Sequence, residues 1–213
     1  MTRTDLMHQA YDKKGPIVAE RFVKRGFAAY YCPTKHAALE KAITLIPKDD
    51  IVSWGGTASC DELGLKDYVL QHNVCINRDD AASPEERVEL MRKALLCDTF
   101  IMGTNAATET GELYNIDGNG NRVAALIYGP KQVIVIVGMN KVVPTLGDAI
   151  TRARTIAAPI NMQRFPKPTP CGITGMCGDC LSSDSICNQF VRTRRCQPKE
   201  RIKVILVGEN LGY

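Results

Sequence analysis

The sequence predicts an α/β protein in which a largely parallel β-sheet is covered by helices on both faces. Short apolar segments alternate with segments of helical periodicity, which is typical of strand–helix–strand units. The segment QVIVIVG at 132–138 is apolar on both faces, as a central parallel strand is. The chain of 213 residues is 45% hydrophobic and 23% charged, so it has the length and composition to bury one sizeable core.

The first half of the chain shows four helical segments and four strands. An apolar stripe predicts a helix over 5–25, and Gly15-Pro16 within it predicts a kink or a new helix start. Further helices are predicted after Thr34, after Thr57 and after Ser83, where proline and then glutamate suit the first helical turn. The predicted strands are 27–32, 51–54, 74–77 and 98–103.

The second half combines a predicted hairpin with two further strands. Segments 111–116 and 121–129 are predicted to pair through the Asp-Gly and Asn-Gly turn between them. A helix is predicted from Pro144 to about Ala158, and a last strand over 201–208. We expect one domain, 1–213, with a Cys-rich insertion at about 166–198. The proline-rich segment 159–170 and the last strand would anchor that insertion at its two ends.

Three apolar strands end in polar, glycine-rich segments, at 53–57, 102–111 and 137–141. Ligands of open parallel sheets bind beyond the carboxyl ends of the strands, and backbone N–H groups at Gly55-Gly56 suit a phosphate or a carboxylate. The alternative is that these glycines only form tight turns. Neither a P-loop lysine pattern nor a G-x-G-x-x-G motif is present, so a nucleotide site is not supported.

Two charged residues in these loops are candidates for chemistry. Glu109 lies in a Thr/Gly-rich loop and could act as a base or a nucleophile, and Lys141 follows the strongest strand and could bind an anion. For both, the alternative is an exposed surface charge. The three histidines are scattered, and no Ser–His–Asp set is visible.

Nine cysteines, an odd number, favour metal or redox use over a disulfide framework. Cys171, Cys177, Cys180 and Cys187 are spaced C-x5-C-x2-C-x6-C, and Cys196 is a possible fifth ligand. Thiolates in such a glycine-rich loop can converge on a zinc ion or an iron–sulfur cluster. Free thiols or an adventitious disulfide are the alternative. The remaining cysteines lie singly in apolar elements and are expected to be buried: Cys32, Cys60, Cys75 and Cys97.

The net charge of +4 arises entirely from residues 163–213. The basic segment from Arg192 to Lys203 is interpreted as a solvated face or an anion-binding lip, and no nucleic-acid partner is expected because Phe190 is its only nearby aromatic residue. No apolar run approaches the ~18–20 residues of a membrane span. The first residues carry no apolar signal region, so a cytoplasmic location is expected.

Four segments resemble the LUD-domain family of lactate-utilisation proteins: SWGGTASCDELGL, GTNAATETGEL, ALIYGPKQVIVIVGMNKVV and RIKVILVGENLGY. The resemblance extends from about residue 10 to the end. It implies a Rossmann-like fold similar to ribose-5-phosphate isomerases and CoA-transferases, with Glu109 as the nearest equivalent of the superfamily's acidic catalytic residue. The ligand-binding positions it implies are Ser53, Gly55, Gly56, Thr57, Gly103, Thr104, Asn105, Thr110, Gly111, Asn140 and Lys141.

The resemblance implies a subunit of a redox system that oxidises lactate or a similar small hydroxy acid. Such a protein would bind a small anionic substrate, contact redox partner subunits and carry an iron–sulfur cluster or zinc. The cysteine insertion before the last strand departs from the arrangements known in the family. Two alternatives stay open: a metal-independent isomerase or CoA-transferase-like enzyme that uses Glu109, and a ligand-binding or scaffold protein with structural zinc.

Overall fold

The computed structural model describes residues 1–213 and contains ten strands and nine α-helices. The strands are β1 (Ala28–Cys32), β2 (Ile51–Trp54), β3 (Val74–Ile76), β4 (Thr99–Gly103), β5 (Ala106–Thr108), β6 (Leu113–Asp117), β7 (Gln132–Gly138), β8 (Val142–Val143), β9 (Gln189–Thr193) and β10 (Ile202–Val207). The helices are α1 (Arg3–Lys24), α2 (Lys35–Thr44), α3 (Ala58–Leu63), α4 (Leu65–His72), α5 (Pro84–Lys93), α6 (Asn121–Ile127), α7 (Leu146–Arg152), α8 (Ala158–Met162) and α9 (Pro170–Thr174).

The main sheet has six parallel strands in the order β1-β10-β7-β4-β2-β3, which confirms the predicted fold class. Strand β7 lies inside the sheet, and its side chains alternate between two apolar cores. Val133 and Val135 pack with α1 and α6 on one face, whereas Ile134 and Ile136 pack with α2, α3 and α4 on the other. Burial of each such side chain stabilises the fold by about 1.5–3 kcal/mol.

Helix starts follow the predicted capping residues. Thr34, Thr57 and Ser83 each accept a hydrogen bond from a backbone N–H in the first turn of the helix that follows. Gly15-Pro16 does not interrupt α1, which runs on to Lys24. A Cβ atom at Gly15 would lie 2.1 Å from the Tyr31 ring, so the glycine permits close packing of α1 on β1.

The predicted hairpin over 111–129 is wrong, because only its first half is a strand. Strand β6 pairs with β5 and β9 in a second, four-stranded sheet of order β8-β5-β6-β9. Residues after Gly120 form α6 instead, and the Asp117 carboxylate accepts a hydrogen bond from the Val123 N–H in its first turn. Helix formers in the segment NRVAALI and burial of α6 on the main sheet outweigh the turn signal.

The cysteine-rich segment is joined to the domain at both of its ends. The helical region that starts at Leu146 continues through a π-helical segment and α8 to Met162, so the first residues of the predicted linker are helical. After α9, residues 175–188 form neither helix nor strand, and β9 then pairs antiparallel with β6. No helix in the structure combines the length and the apolar character that crossing a membrane requires.

Candidate functional site

A cleft of about 370 Å³ lies at the carboxyl edge of the main sheet. The ends of β2, β4 and β7 contribute to it, as the strand-end prediction expects. The turn after β6, the segment 161–167 and the C-terminal Tyr213 complete its walls. Six of the predicted ligand-binding residues lie in this lining: Gly56, Thr57, Gly103, Thr104, Asn105 and Lys141.

Lys141 is a buried cation in the cleft wall. The residue lies in the short 3-10 turn that follows β7, and it is only 4% exposed. Its Nζ donates a hydrogen bond to Ser59 Oγ at 2.8 Å. Burial, reinforced by the nearby positive charge of Arg152, lowers the pKa of Lys141 to about 8. Its only hydrogen-bond partner is a neutral hydroxyl, so the amine can interact with an anion in the cleft.

Glycine at position 103 keeps the floor of the cleft open beside this lysine. A Cβ atom there would lie 3.0 Å from Thr57 Oγ1 and 3.2 Å from Ser59 Oγ, both of which lie in the lining. Any larger side chain would therefore crowd the hydroxyl groups next to Lys141. The strand-end glycine therefore has a steric role here, since it leaves room for the Thr57 and Ser59 hydroxyls.

Arg122 of α6 joins the loop between β4 and β5 to strand β6 beside the cleft. Its guanidinium donates to the Gly103 carbonyl at 3.1 Å, to Asn115 Oδ1 at 2.6 Å, to Asn105 Oδ1 at 3.1 Å and to the Ile116 carbonyl at 2.8 Å. The Gly55 backbone packs against its aliphatic stem. Sequence reasoning missed Arg122 because the hairpin prediction placed it on a strand rather than on α6.

The lining of the cleft is strongly cationic. Asp117 is its only acidic residue. Several cations are partly compensated, since Arg87 pairs with Asp79 at 3.1 Å, and Lys167 with Asp184 at 3.3 Å. The lining cations are Arg78, Arg87, Arg122, Lys141, Arg164 and Lys167. A cleft with an excess of positive charge concentrates ligands of the opposite sign, so this geometry favours an anion.

Two of these arginines are held in the cleft wall by neighbouring groups. Arg78 follows β3, and its buried Nε atom lies 3.8 Å from the Asp79 carboxylate without a hydrogen bond. Arg164 donates to the Tyr213 hydroxyl at 3.1 Å, which in turn donates to Asn161 Oδ1 at 3.1 Å. The C-terminal residue thus positions a cation at the cleft.

The other predicted ligand-binding residues lie outside the lining. Ser53 donates to the Ile76 carbonyl at 2.8 Å within the sheet, and Gly55 packs on Arg122. Asn140 holds the C-terminal segment through the Leu211 N–H and the Gly212 carbonyl. Thr110 and Gly111 turn towards α1, where Gly111 has a φ of +87° and lies against the Arg21 backbone. Ligand contact by these five residues stays a prediction.

Glu109 is not among the lining residues of the cleft. Its carboxylate pairs with Lys14 of α1 at 2.6 Å, and Arg21 donates to its backbone carbonyl at 2.9 Å. The residue lies in the turn between β5 and β6, whose other end packs on α1. The structure therefore does not bring Glu109 together with Lys141, and its catalytic role stays a prediction.

A second cavity, of about 100 Å³, is lined by Cys171, Cys177, Cys180 and Cys187. Burial, with the neighbouring thiols as a further cause, raises the pKa of Cys187 to about 11. Cys196 lies apart, in the core of the main sheet, where its Sγ accepts a hydrogen bond from the Ile202 N–H. No three His, Cys, Asp or Glu side chains stand in an arrangement that would hold a metal ion as it is.

Comparisons with known proteins identify the family. A crystal structure of a DUF162 family protein from Deinococcus radiodurans is similar over 92% of this chain and 97% of its own, with 14% identity and a TM-score of 0.55, which shows the fold. The delta subunit of eIF2B from Chaetomium thermophilum shares 16% identity over 55% of this chain and 50% of its own, with a TM-score of 0.34, which is too low to indicate a shared fold. No curated protein matches the sequence. The LUD domain model matches residues 16–207, and the chain therefore belongs to the LUD-domain family, which is associated with lactate utilisation.

Proposed function

We propose that this chain is a subunit of a redox system that oxidises lactate or a similar small hydroxy acid, and that the cleft binds the acid through its carboxylate. The observation that carries the proposal is Lys141, a buried amine whose hydrogen-bond partner is a neutral hydroxyl, in a cleft with six cations and one carboxylate. A bound carboxylate would supply the anionic partner that the Lys141 ammonium group lacks.

The chain's own contribution would be to bind and orient the acid. Lys141 would hold the carboxylate, while the Ser59 and Thr57 hydroxyls beside it could contact the hydroxyl group of the substrate. Conversion of that carbon to a carbonyl removes two electrons and two protons. We assign acceptance of the electrons to redox partner subunits, or to an iron–sulfur cluster that the cysteine segment would hold; a zinc ion there would leave the electrons to the partner subunits.

Calorimetric titration of the purified chain tests the carboxylate site. We expect L-lactate and pyruvate to bind, and lactamide, which lacks the charge, to bind at least about tenfold more weakly. Lys141→Met should weaken lactate binding by about tenfold or more. It should also raise the free energy of unfolding by about 2 kcal/mol, because the cost of burying the ammonium outweighs the lost Ser59 hydrogen bond.

The exposed Lys13 gives a matched control, since Lys13→Met removes the same charge from the surface. Lactate binding by that variant should equal that of the unmodified chain. Equal affinities of Lys141→Met and the unmodified chain for lactate would exclude the proposed carboxylate site. Binding without any oxidation in the presence of an electron-accepting dye and the partner subunits would leave a ligand-binding role only.

A further inference from the structure

We propose that Cys171, Cys177, Cys180 and Cys187 bind one thiophilic metal centre. By fixing the cysteine loop, this centre would also fix the residue that the loop contributes to the lining of the cationic cleft. The cysteine loop is defined as residues 171–187. The coupling to the cleft rests on the function proposed above, whereas the metal site rests on the loop alone.

The donor set in the loop fits such a centre. All four thiols line the same small cavity, and the rest of its lining is largely apolar. Soft thiolate ligands select zinc and iron–sulfur clusters over hard cations such as magnesium. Arg154 pairs with Asp179 of the loop at 2.5 Å and also lies 3.9 Å from Cys177 Sγ, so its positive charge, partly offset by Asp179, is close to one of the four thiols.

The loop has little regular structure and exposes several large apolar side chains. Residues 175–188 form no helix or strand, and the large apolar side chains of Ile173, Met176 and Leu181 are 74%, 70% and 102% exposed. The thiols are not in a preformed coordination geometry. Metal binding commonly supplies the folding energy of segments that cannot bury an apolar core, so the ion would draw the four thiols together.

The same loop forms part of the cleft. Ile186, next to Cys187, lines both the cysteine cavity and the cleft. Asp184 in the loop pairs with Lys167 in the cleft lining at 3.3 Å. A metal that fixes Cys187 would therefore also fix Ile186 and, through Asp184, Lys167 in the cleft lining. Without the metal, both residues would be more mobile.

Metal and sulfide analysis of the full chain, purified without oxygen, tests the site. Zinc at one equivalent supports a mononuclear centre, iron with acid-labile sulfide and visible absorbance supports a cluster, and either supports the proposal. The double variant Cys177→Ser/Cys180→Ser should lose the metal, while Cys75→Ser, which lies on β3 away from the loop, should keep it. Free thiols or a disulfide without bound metal would overturn the proposal.

The coupling is tested on the same preparation with and without its metal. Removal of the metal should weaken L-lactate binding by about fivefold or more and should speed amide hydrogen exchange in both 175–188 and 161–167. Faster exchange in 175–188 alone, with unchanged lactate affinity, would overturn the coupling but not the site. If lactate binds neither form, the proposed function fails, and exchange in 161–167 still decides the coupling.

Discussion

Two charged regions of this molecule differ in how their charges are compensated. Next to α1, every carboxylate of the β5–β6 turn has cationic partners. Glu109 pairs with Lys14 at 2.6 Å, and Glu112 pairs with Arg25 at 2.9 Å and with Arg192 at 2.7 Å. In the cleft, by contrast, Lys141 has only a neutral hydroxyl as its hydrogen-bond partner.

The difference indicates that the first region stabilises the fold, whereas the second suits the ligand role proposed above. The compensated pairs hold the end of α1 on the second sheet, because Glu112 on the turn joins Arg25, which follows α1, to Arg192 on β9 of that sheet. A buried ammonium without an ionic partner destabilises the folded state. Such a group is typical of a site whose partner is an external anion, and the comparison can be tested from both sides.

The largest expected effect on stability comes from Glu112→Gln. The residue is only 3% exposed, so the neutral variant would leave two guanidinium groups without their carboxylate and should lower the free energy of unfolding by about 2–3 kcal/mol. Chemical denaturation measures this loss. Glu20→Gln on the exposed side of α1 should change stability by less than about 0.5 kcal/mol.

The ion pair between Glu112 and Arg192 predicts that the stability of the chain depends on pH. The Arg192 hydrogen bond, with Arg25 nearby, lowers the pKa of Glu112 below its usual 4.5. The unfolded chain therefore binds its proton at higher pH than the folded chain does. The stability that Glu112 contributes should be complete above that usual value and should be lost as the pH falls through the lowered one. An equal stability gap between the unmodified chain and Glu112→Gln at neutral and at strongly acidic pH would contradict this.

An effect of intermediate size is expected when Lys141 loses its proton at alkaline pH. The affinity for lactate should then fall, and the stability of the ligand-free chain should rise. The pKa of Lys141, about 8 in the folded chain, lies below the usual 10.5, so the folded state releases this proton first. Between about pH 7 and about pH 9 the affinity for L-lactate should fall, while the stability of the ligand-free chain relative to Lys141→Met should rise by about 1 kcal/mol.

The charged neighbours of Lys141 allow a clean reading of this profile. Among them, burial raises the pKa of the Cys60 thiol to about 12, above the pH range of this titration. Lys141→Met should therefore show no fall of residual lactate affinity as the pH rises. A fall of the same size in this variant would assign the titration to another group.

The sequence predicted the main sheet well because its signals are local. The alternating faces of β7 and the capping residues Thr34, Thr57 and Ser83 depend on residues close together in the chain. The prediction failed at 121–129, where local turn residues indicated a hairpin. There β6 pairs instead with β5, through the turn before it, and with β9, which lies far along the chain and which a local turn signal does not encode.

The candidate site was predicted where it follows from strand ends and missed where it depends on assembly. Lys141, Thr57 and Gly103 lie directly after or at the ends of parallel strands, so their convergence follows from topology. Arg122 and Arg164 enter from α6 and from the segment after α8, and nothing in their local sequence indicates that they meet the cleft. The basic run after Phe190 does not form a lip over the cleft, because Arg192 pairs with Glu112 and Arg201 donates to the Pro130 carbonyl.

The smallest effect is expected from Glu109→Gln. The ion pair with Lys14 is partly exposed, with side-chain exposures of 26% for Glu109 and 45% for Lys14, so its loss should cost no more than about 0.5 kcal/mol. Because Glu109 does not line the cleft, lactate binding and any oxidation of lactate by the assembled system should be unchanged. The matched variant Lys14→Gln breaks the same pair and should behave alike. If Glu109→Gln abolishes turnover while Lys14→Gln does not, the carboxylate itself takes part in the chemistry. In that case the β5–β6 turn would be a second reacting site, and the result would support the isomerase or CoA-transferase-like alternative, in which Glu109 is catalytic.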